Sequence, residues 1–126
     1  MGIWARGDDP RELFEAIGLA LYARIADPMG IRTTASREVS ATGADPGALV
    51  VAYLGELLRL QQEEGFIGRR IVARPIGTPP TSVLAQVEGE VFDPTRHRAR
   101  TEVKAVTFHR LEVDLAAGRA RVILDI

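Results

Sequence analysis

The sequence predicts an α+β fold in which two helices pack on a mostly antiparallel β-sheet sandwich. Two segments with helix-start signals and helical apolar spacing lie in the first half of the chain, whereas strand-like segments crowd the second half. Because helices and strands do not alternate regularly, the pattern argues against a parallel sheet built from β-α-β units. With 126 residues the chain is expected to form a single domain over residues 1–126.

The first helix is predicted to begin at Asp9-Pro10, where the Asp side chain can accept from unpaired N–H groups and Pro suits the first helical position. Glu12 completes the start signal, and Asp27-Pro28 is expected to end the helix. Apolar residues recur at spacings of mostly three and four, which predicts one buried stripe. The stripe consists of Leu13, Phe14, Ile17, Leu21 and Ile25.

The segment 31–41 is rich in β-branched and short polar residues and predicts an exposed or edge strand. A second helix is predicted from Asp45-Pro46 to a stop at Gly65. Its apolar positions again follow helical periodicity: Leu49, Val50, Tyr53, Leu54, Leu57 and Leu58.

The remainder of the chain predicts four strands. They cover Phe66–Ala73, the alternating stretch Val83–Val91, Glu102–Leu115 and Arg119–Ile126. Residues 75–80 are too rich in Pro and Gly for a strand interior and are predicted to form a loop, and residues 93–95 and 117–118 are predicted turns.

Composition limits the classes of function. Lys and Arg number 16 against 17 Asp and Glu, so a formal net charge of -1 gives no broad attraction for nucleic acid, and RNA is expected to be contacted only indirectly. The absence of cysteine excludes disulfides and thiolate metal sites. No apolar run approaches the ~20 residues of a membrane span, and the first residues lack a secretory signal, which favours a cytoplasmic protein without membrane contact.

The last residues, RVILDI, carry an apolar strand directly into Asp125 and Ile126. The Asp125 carboxylate, the last main-chain oxygens and a terminal carboxylate would be hard donors suited to Ca²⁺ or Mg²⁺. In the alternative interpretation, which the spacing alone favours, Asp125 caps the strand or pairs with Arg121, because Ca²⁺ takes ~6–8 oxygens.

The segment 102–113, EVKAVTFHRLEV, contains two further candidates, Lys104 and His109. A regular strand would place them on opposite faces, with His109 a hydrogen-bonded core residue and Lys104 either reaching solvent or balancing carboxylates. His97 lies in the arginine-rich run DPTRHR, which predicts a solvated loop. There is no Gly-rich phosphate loop, GxSxG, HExxH or EF-hand pattern, so no catalytic residue is assigned.

The segments KAVTFH at 104–109, GEVFD at 89–93 followed by His97, and the final RVILDI together resemble the archease family. The second helix, Asp45 followed by LVVAYLGELL, is similar too, and the resemblance runs from Gly2 to the last residue. It implies an archease-like α+β protein that is not itself an enzyme. The resemblance further implies a cytoplasmic activator of an RtcB-type RNA ligase in tRNA splicing and RNA repair, which promotes ligase guanylylation with GTP and multiple turnover.

The resemblance also implies a divalent cation, typically Ca²⁺, held by a carboxylate near the amino terminus and by the final Asp-Ile pair. In this sequence the pair is Asp125, through its side chain, and Ile126, through main-chain oxygen, with Lys104 and His109 in the functional neighbourhood. The family opens with a strand that ends in His-Thr-Ala-Asp just before the Gly-Ile matched by Gly2-Ile3, and this sequence starts at Met1 without it. Either the sequence begins downstream of the natural start, or the protein has lost this strand together with one metal carboxylate. In the second case we expect an incomplete cation site, and a sheet edge that is open to pairing with a partner or with another copy of the chain.

Two alternatives from other classes stay open at this point. The first is a small metal-dependent enzyme that uses Asp125 and His109 in acid–base chemistry on a phosphate or nucleotide. The second is a chaperone-like interaction module that binds no cation.

Overall fold

A computed structural model describes all 126 residues and contains two helices and seven strands. In chain order these are β1 Gly2–Arg6, α1 Pro10–Ile25, β2 Ala35–Thr42, α2 Pro46–Glu64, β3 Phe66–Gly77, β4 Pro80–Val91, β5 Ala105–Val106, β6 Glu112–Asp114 and β7 Arg119–Asp125.

Both helices begin where the sequence predicted, because an Asp-Pro pair supplies the start in each case. The Asp9 side chain accepts from the Glu12 N–H at 2.8 Å, and Asp45 caps the second helix in the same way at 2.8 Å. α2 ends at Gly65, whose φ of 71° is left-handed and therefore suits glycine. α1 stops at Ala26, where the backbone turns extended before Asp27-Pro28.

The strands form two sheets in which every pairing is antiparallel. One sheet has the order β1-β7-β5, and β6 pairs with β7 beside β5. The other has the order β2-β4-β3. The predicted α+β class with a mostly antiparallel sheet sandwich is confirmed.

The hydrophobic core lies between the sheets, because each helix packs against strands of both of them. The predicted apolar stripes of α1 and α2 are buried. The hydroxyl of Tyr22 donates to the Leu57 carbonyl at 2.9 Å, and that of Tyr53 donates to the Phe14 carbonyl at 3.0 Å. Burial raises the pKa of both tyrosines, so both remain protonated donors that tie the two helices together.

Two predicted boundaries are wrong. The loop expected at 75–80 is mostly strand: β3 continues to Gly77 and β4 starts at Pro80. Proline is tolerated there because β3 is an edge strand that pairs only with β4, so the Pro75 nitrogen can lie on the unpaired side.

The prediction of a single strand over residues 102–115 is also wrong. It is divided into β5 and β6 by a turn at residues 107–111, in which Arg110 adopts a left-handed φ of 49°. Both short strands pair with β7, but at different positions along it, so the chain between them leaves the sheet. Neither helix is both long enough and apolar enough to cross a membrane.

Candidate functional site

The end of β7 is held on both sides by backbone hydrogen bonds. On one side the Leu124 N–H donates to the Met1 carbonyl at 2.6 Å. On the other side the Lys104 N–H donates to the Asp125 carbonyl at 2.7 Å, and Ala105 is the register partner of Asp125. Asp125 and Ile126 are nevertheless exposed, so the strand end presents fixed backbone and solvent-facing side chains.

The family resemblance implied that Lys104 belongs to the same neighbourhood, and the main chain of Lys104 lies beside this strand end. The side-chain amide of Gln62 on α2 donates to the Lys104 carbonyl at 3.1 Å, so this residue is held from the helix side as well. Lys104 is exposed, and its ammonium group forms no ion pair with Asp125. The neighbourhood of the two residues is therefore created by main-chain pairing and leaves both charges facing solvent.

His109 is not the core histidine that a regular strand predicted. It is exposed in the turn between β5 and β6, and its backbone N–H donates to the Thr107 hydroxyl at 3.3 Å. Thr107 is already bonded to the Ile123 carbonyl, so the chain has moved along β7 away from Asp125 before it reaches His109. The structure therefore brings Lys104 and Asp125 together but places His109 in a separate turn.

His97 also departs from its prediction, because it is buried rather than part of a solvated loop. Its exposed fraction is 6%, and its Nε2 contacts the Glu90 carboxylate. The Asp93 N–H donates to Nδ1 of His97 at 2.8 Å, and the Arg96 guanidinium donates to Glu90 at 2.6 Å. Burial alone would raise the pKa of Glu90, but the hydrogen bond from Arg96 and the close contact with His97 outweigh it, and the pKa is lowered.

This cluster of Glu90, Asp93, Arg96 and His97 sets the path of the chain toward Lys104. Directly after it, residues 98–101 pair with the end of α1: the Asp27 N–H donates to the Arg98 carbonyl at 2.9 Å, and the Arg100 N–H donates to the Ile25 carbonyl at 2.9 Å. In the sequence, the GEVFD segment followed by His97 marked this cluster only as part of the family resemblance. What alternation along β4 could not reveal is that Glu90 itself is 7% exposed.

The donors at the end of β7 suit a hard cation in kind but not in number. The Asp125 carboxylate and the Ile126 main-chain oxygen are oxygen ligands, as Ca²⁺ and Mg²⁺ require. The Asp125 carbonyl already accepts from Lys104, and no group of three His, Asp or Glu side chains in the chain is arranged so that it could hold a metal ion. The residues of this chain therefore supply only part of a coordination shell.

Comparison with known proteins gives matches over the whole chain. Over residues 1–126 the chain matches the model of the archease protein family. It is 34% identical over 130 residues to Protein archease of Pyrococcus abyssi, and this match covers 100% of this chain and 92% of that protein. It is 33% identical over 126 residues to Protein archease of Methanosarcina mazei, covering 97% and 86% respectively.

Two solved structures share the fold. The solution structure of Methanobacterium thermoautotrophicum protein 1598 superposes with a TM-score of 0.80 at 29% identity, covering 99% of this chain and 91% of that one. A Thermotoga maritima crystal structure, described as an archease and possible chaperone, gives a TM-score of 0.59 at 17% identity over 100% and 90% of the two chains, and it supports the fold alone. Together with the full-length sequence matches, these similarities establish that the chain belongs to the archease family.

Proposed function

We propose that this protein activates an RtcB-type RNA ligase in tRNA splicing and RNA repair, by promoting guanylylation of the ligase with GTP and by allowing multiple turnover. In this proposal the protein is not itself an enzyme, and the RNA is held mainly by the ligase. Membership of the archease family supports a role that depends on a protein partner.

The observation that carries the proposal is the strand end fixed between Met1 and Lys104. A contact surface that must fit another protein's active site needs little reordering on binding, because ordering costs reduce affinity. Asp125 meets this requirement, since its main chain is bonded to Lys104 at 2.7 Å while its side chain stays exposed. Lys104 is exposed as well, so its ammonium group is free to contact a polar partner surface while its main chain stays paired with Asp125.

Activation requires differential affinity for two states of the ligase. A protein can shift the ligase toward a GTP-competent conformation only if it binds that conformation more tightly than the resting one. A preference of about 1.4 kcal/mol corresponds to a tenfold shift, which a few polar contacts at an exposed strand end can supply.

We further propose that Asp125, through its carboxylate, and Ile126, through main-chain oxygen, contribute to a divalent cation site, with Ca²⁺ as the expected ion. A bound cation would add positive charge to this surface. Because this chain supplies only part of the shell, water or groups outside it complete the coordination in this proposal. In this proposal Lys104 orients the neighbouring oxygens or contacts phosphate, whereas His109, in its separate turn, takes no part in the cation site.

Comparing Asp125→Asn with Asp8→Asn tests the proposal. Asp8 is exposed and lies at the other end of the β1–β7 pair, roughly 20 Å from Asp125 along β7. Mixed with an RtcB-type ligase, GTP, Mn²⁺ and RNA, the wild type and Asp8→Asn should raise guanylylation and turnover. Asp125→Asn should lose about tenfold of that stimulation, which corresponds to about 1.4 kcal/mol. Wild-type protein without effect on the ligase would contradict the activator role.

Two other functions are less well supported. A metal-dependent enzyme that uses Asp125 and His109 would need both groups in one concave site, and His109 lies instead in an exposed turn. The other alternative is a chaperone-like role without a cation; the Thermotoga maritima protein of the same fold is described as a possible chaperone. Calorimetric titration with Ca²⁺, Mg²⁺ and Mn²⁺ in the presence of the ligase separates it from the activator, because heat that depends on Asp125 is expected only for a cation site.

The same proposal places the protein in the cytoplasm with its ligase. It also includes self-association as an open alternative, because β1 pairs only with β7 and its other edge has no strand partner. Sedimentation of the chain across a concentration range distinguishes a monomer from a dimer formed through that edge.

A further inference from the structure

We propose that the outer face of the four-stranded sheet binds single-stranded RNA directly, with Trp4 as the stacking platform and the surrounding arginines as phosphate ligands. The inference deepens the proposed function, since it gives this chain its own contact with the RNA that the ligase joins. The contact can nevertheless be measured without any ligase.

The register of β1 against β7 brings these side chains to one face. Trp4 is the partner of Arg121, and Arg6 is the partner of Arg119. Residues directly opposite each other in an antiparallel pair project to the same side of the sheet. The intervening Ile3, Ala5, Ala120 and Val122 are buried on the core side, so Trp4, Arg6, Arg119 and Arg121 share the solvent side.

Trp4 is unusually placed for a tryptophan. It is the only one in the sequence, and 69% of it is exposed. It stands between two grooves: one of about 450 Å³ also contains Arg6, Arg119 and Arg121, and the second contains Arg24. The exposed indole offers a flat aromatic face on which a ligand can stack.

The arginines around Trp4 lack ion-pair partners. No carboxylate lies within 4.0 Å of the guanidinium groups of Arg6, Arg24, Arg119 or Arg121. Arg6 and Arg119 are directly opposite each other, an arrangement in which like charges destabilise the sheet. Other arginines of the chain do have carboxylate partners: Arg11, Arg37, Arg59, Arg70, Arg96 and Arg100.

Two carboxylates on the same face balance this charge only in part. Glu112 is the register partner of Arg121, and Asp114 that of Arg119, on the side of β7 away from Trp4. Neither reaches ion-pair distance. The side of the groove around Trp4 is therefore cationic, although the formal net charge of the whole chain is -1.

A single-stranded nucleotide chain fits this chemistry best. Each nucleotide combines an anionic phosphate, which a guanidinium binds with two parallel hydrogen bonds, and a base that can stack on an indole. A duplex hides its base faces, whereas a single strand can lay them on an open sheet. An acidic peptide would satisfy the arginines but offers no aromatic plane to Trp4.

The proposed RNA contact is continuous with the proposed ligase contact. Arg119, Arg121 and Asp125 alternate along one face of β7, and Arg121 lies roughly 13 Å from Asp125 along the strand. A protein that docks through the end of β7 would thus carry Trp4 and its arginines on the face that adjoins the docked end.

The single tryptophan provides the test. We expect an unstructured oligoribonucleotide to quench Trp4 fluorescence and salt to weaken the effect, as phosphate contacts require. Arg119→Glu with Arg121→Glu should abolish the quenching. The matched control, Arg69→Glu with Arg74→Glu, changes two exposed and unpaired arginines of β3 and should leave the quenching intact.

A second experiment measures binding of fluorescently labelled RNA. Trp4→Ala should bind roughly tenfold more weakly than wild type, and Trp4→Phe should retain part of the affinity.

Each outcome decides the matter. Absence of quenching at millimolar RNA, or equal loss in both double variants, overturns the proposal. Equal quenching by polyglutamate overturns it in favour of an acidic protein partner. If RNA binds as expected but the ligase is not stimulated, the activator role is wrong and the RNA site stands. If the ligase is stimulated but RNA does not change Trp4 fluorescence, the RNA site is wrong and the activator role stands.

Discussion

Among the single residues, Glu90 has the most demanding surroundings. It is 7% exposed, yet it remains an anion because the Arg96 guanidinium and the His97 imidazole both contact it. A buried carboxylate is tolerated only when such partners replace the lost water. Because the chain after His97 leads toward Lys104, this arrangement links the core to the candidate site.

The Glu90 carboxylate should stabilise the fold only while it is ionised. Its pKa is lowered in the folded state, so the unfolded chain binds more protons and stability is lost as pH falls below the ordinary value of about 4.3. We expect Glu90→Gln to lower the melting temperature at pH 7, and the gap to wild type to shrink as pH falls below about 4. Glu88→Gln is the control, since Glu88 forms an exposed pair with Arg70 and should change little. A gap that is independent of pH would contradict the charge argument.

At the scale of elements, the helices were predictable because their signals are local. Asp-Pro starts, a Gly stop and apolar spacing lie within each helix, so no tertiary information is needed. The region 102–115 was not predictable in the same way: residues 107–111 contain no Gly or Pro that would mark a turn, and only pairing with β7 shows where β5 ends and β6 begins.

The candidate site also contains features that could be predicted from the sequence and features that depend on tertiary contacts. The pairing of Asp125 with the Lys104 strand agreed with the family resemblance, whereas the burial of His97 depends on Glu90 from another element and could not be read from an arginine-rich run. The exposure of Trp4 likewise depends on which face of β1 the helices cover.

The caps of the helices give a prediction at this scale. Asp45→Ala removes the acceptor for the Ala48 N–H and should lower the free energy of unfolding by about 1 kcal/mol. Asp8→Ala is the matched control. Asp8 is also an exposed aspartate just before a helix, but Asp9, not Asp8, caps α1. Urea denaturation followed by circular dichroism measures both variants, and equal stability of the two would contradict the capping role.

At the scale of the whole molecule, the two helices form the layer to which both sheets are attached. α1 contacts β1 of one sheet and β3 of the other, and α2 contacts β2 as well as β5. The position of the candidate site at the end of β7 therefore depends on how closely the helices approach each other and the sheets.

Gly18 on α1 sets that approach, and comparison with Gly55 on α2 tests it. A Cβ at Gly18 would lie 2.7 Å from Ile71 of β3 and 2.8 Å from the hydroxyl of Tyr53, which is fixed by its bond to Phe14. A Cβ at Gly55 would meet nothing within 4 Å. Alanine gains ~1 kcal/mol of helix propensity at either site, but overpacking costs about 1–3 kcal/mol.

We therefore expect opposite signs from the same substitution. Gly55→Ala should raise the free energy of unfolding by about 1 kcal/mol, and Gly18→Ala should lower it by up to about 2 kcal/mol, because only Gly18 lies where α1, α2 and β3 meet. Denaturant titration of the two variants beside wild type measures the difference. Stabilisation by Gly18→Ala would mean that the layers have room to separate, and that the helix layer does not fix the distance between the two sheets.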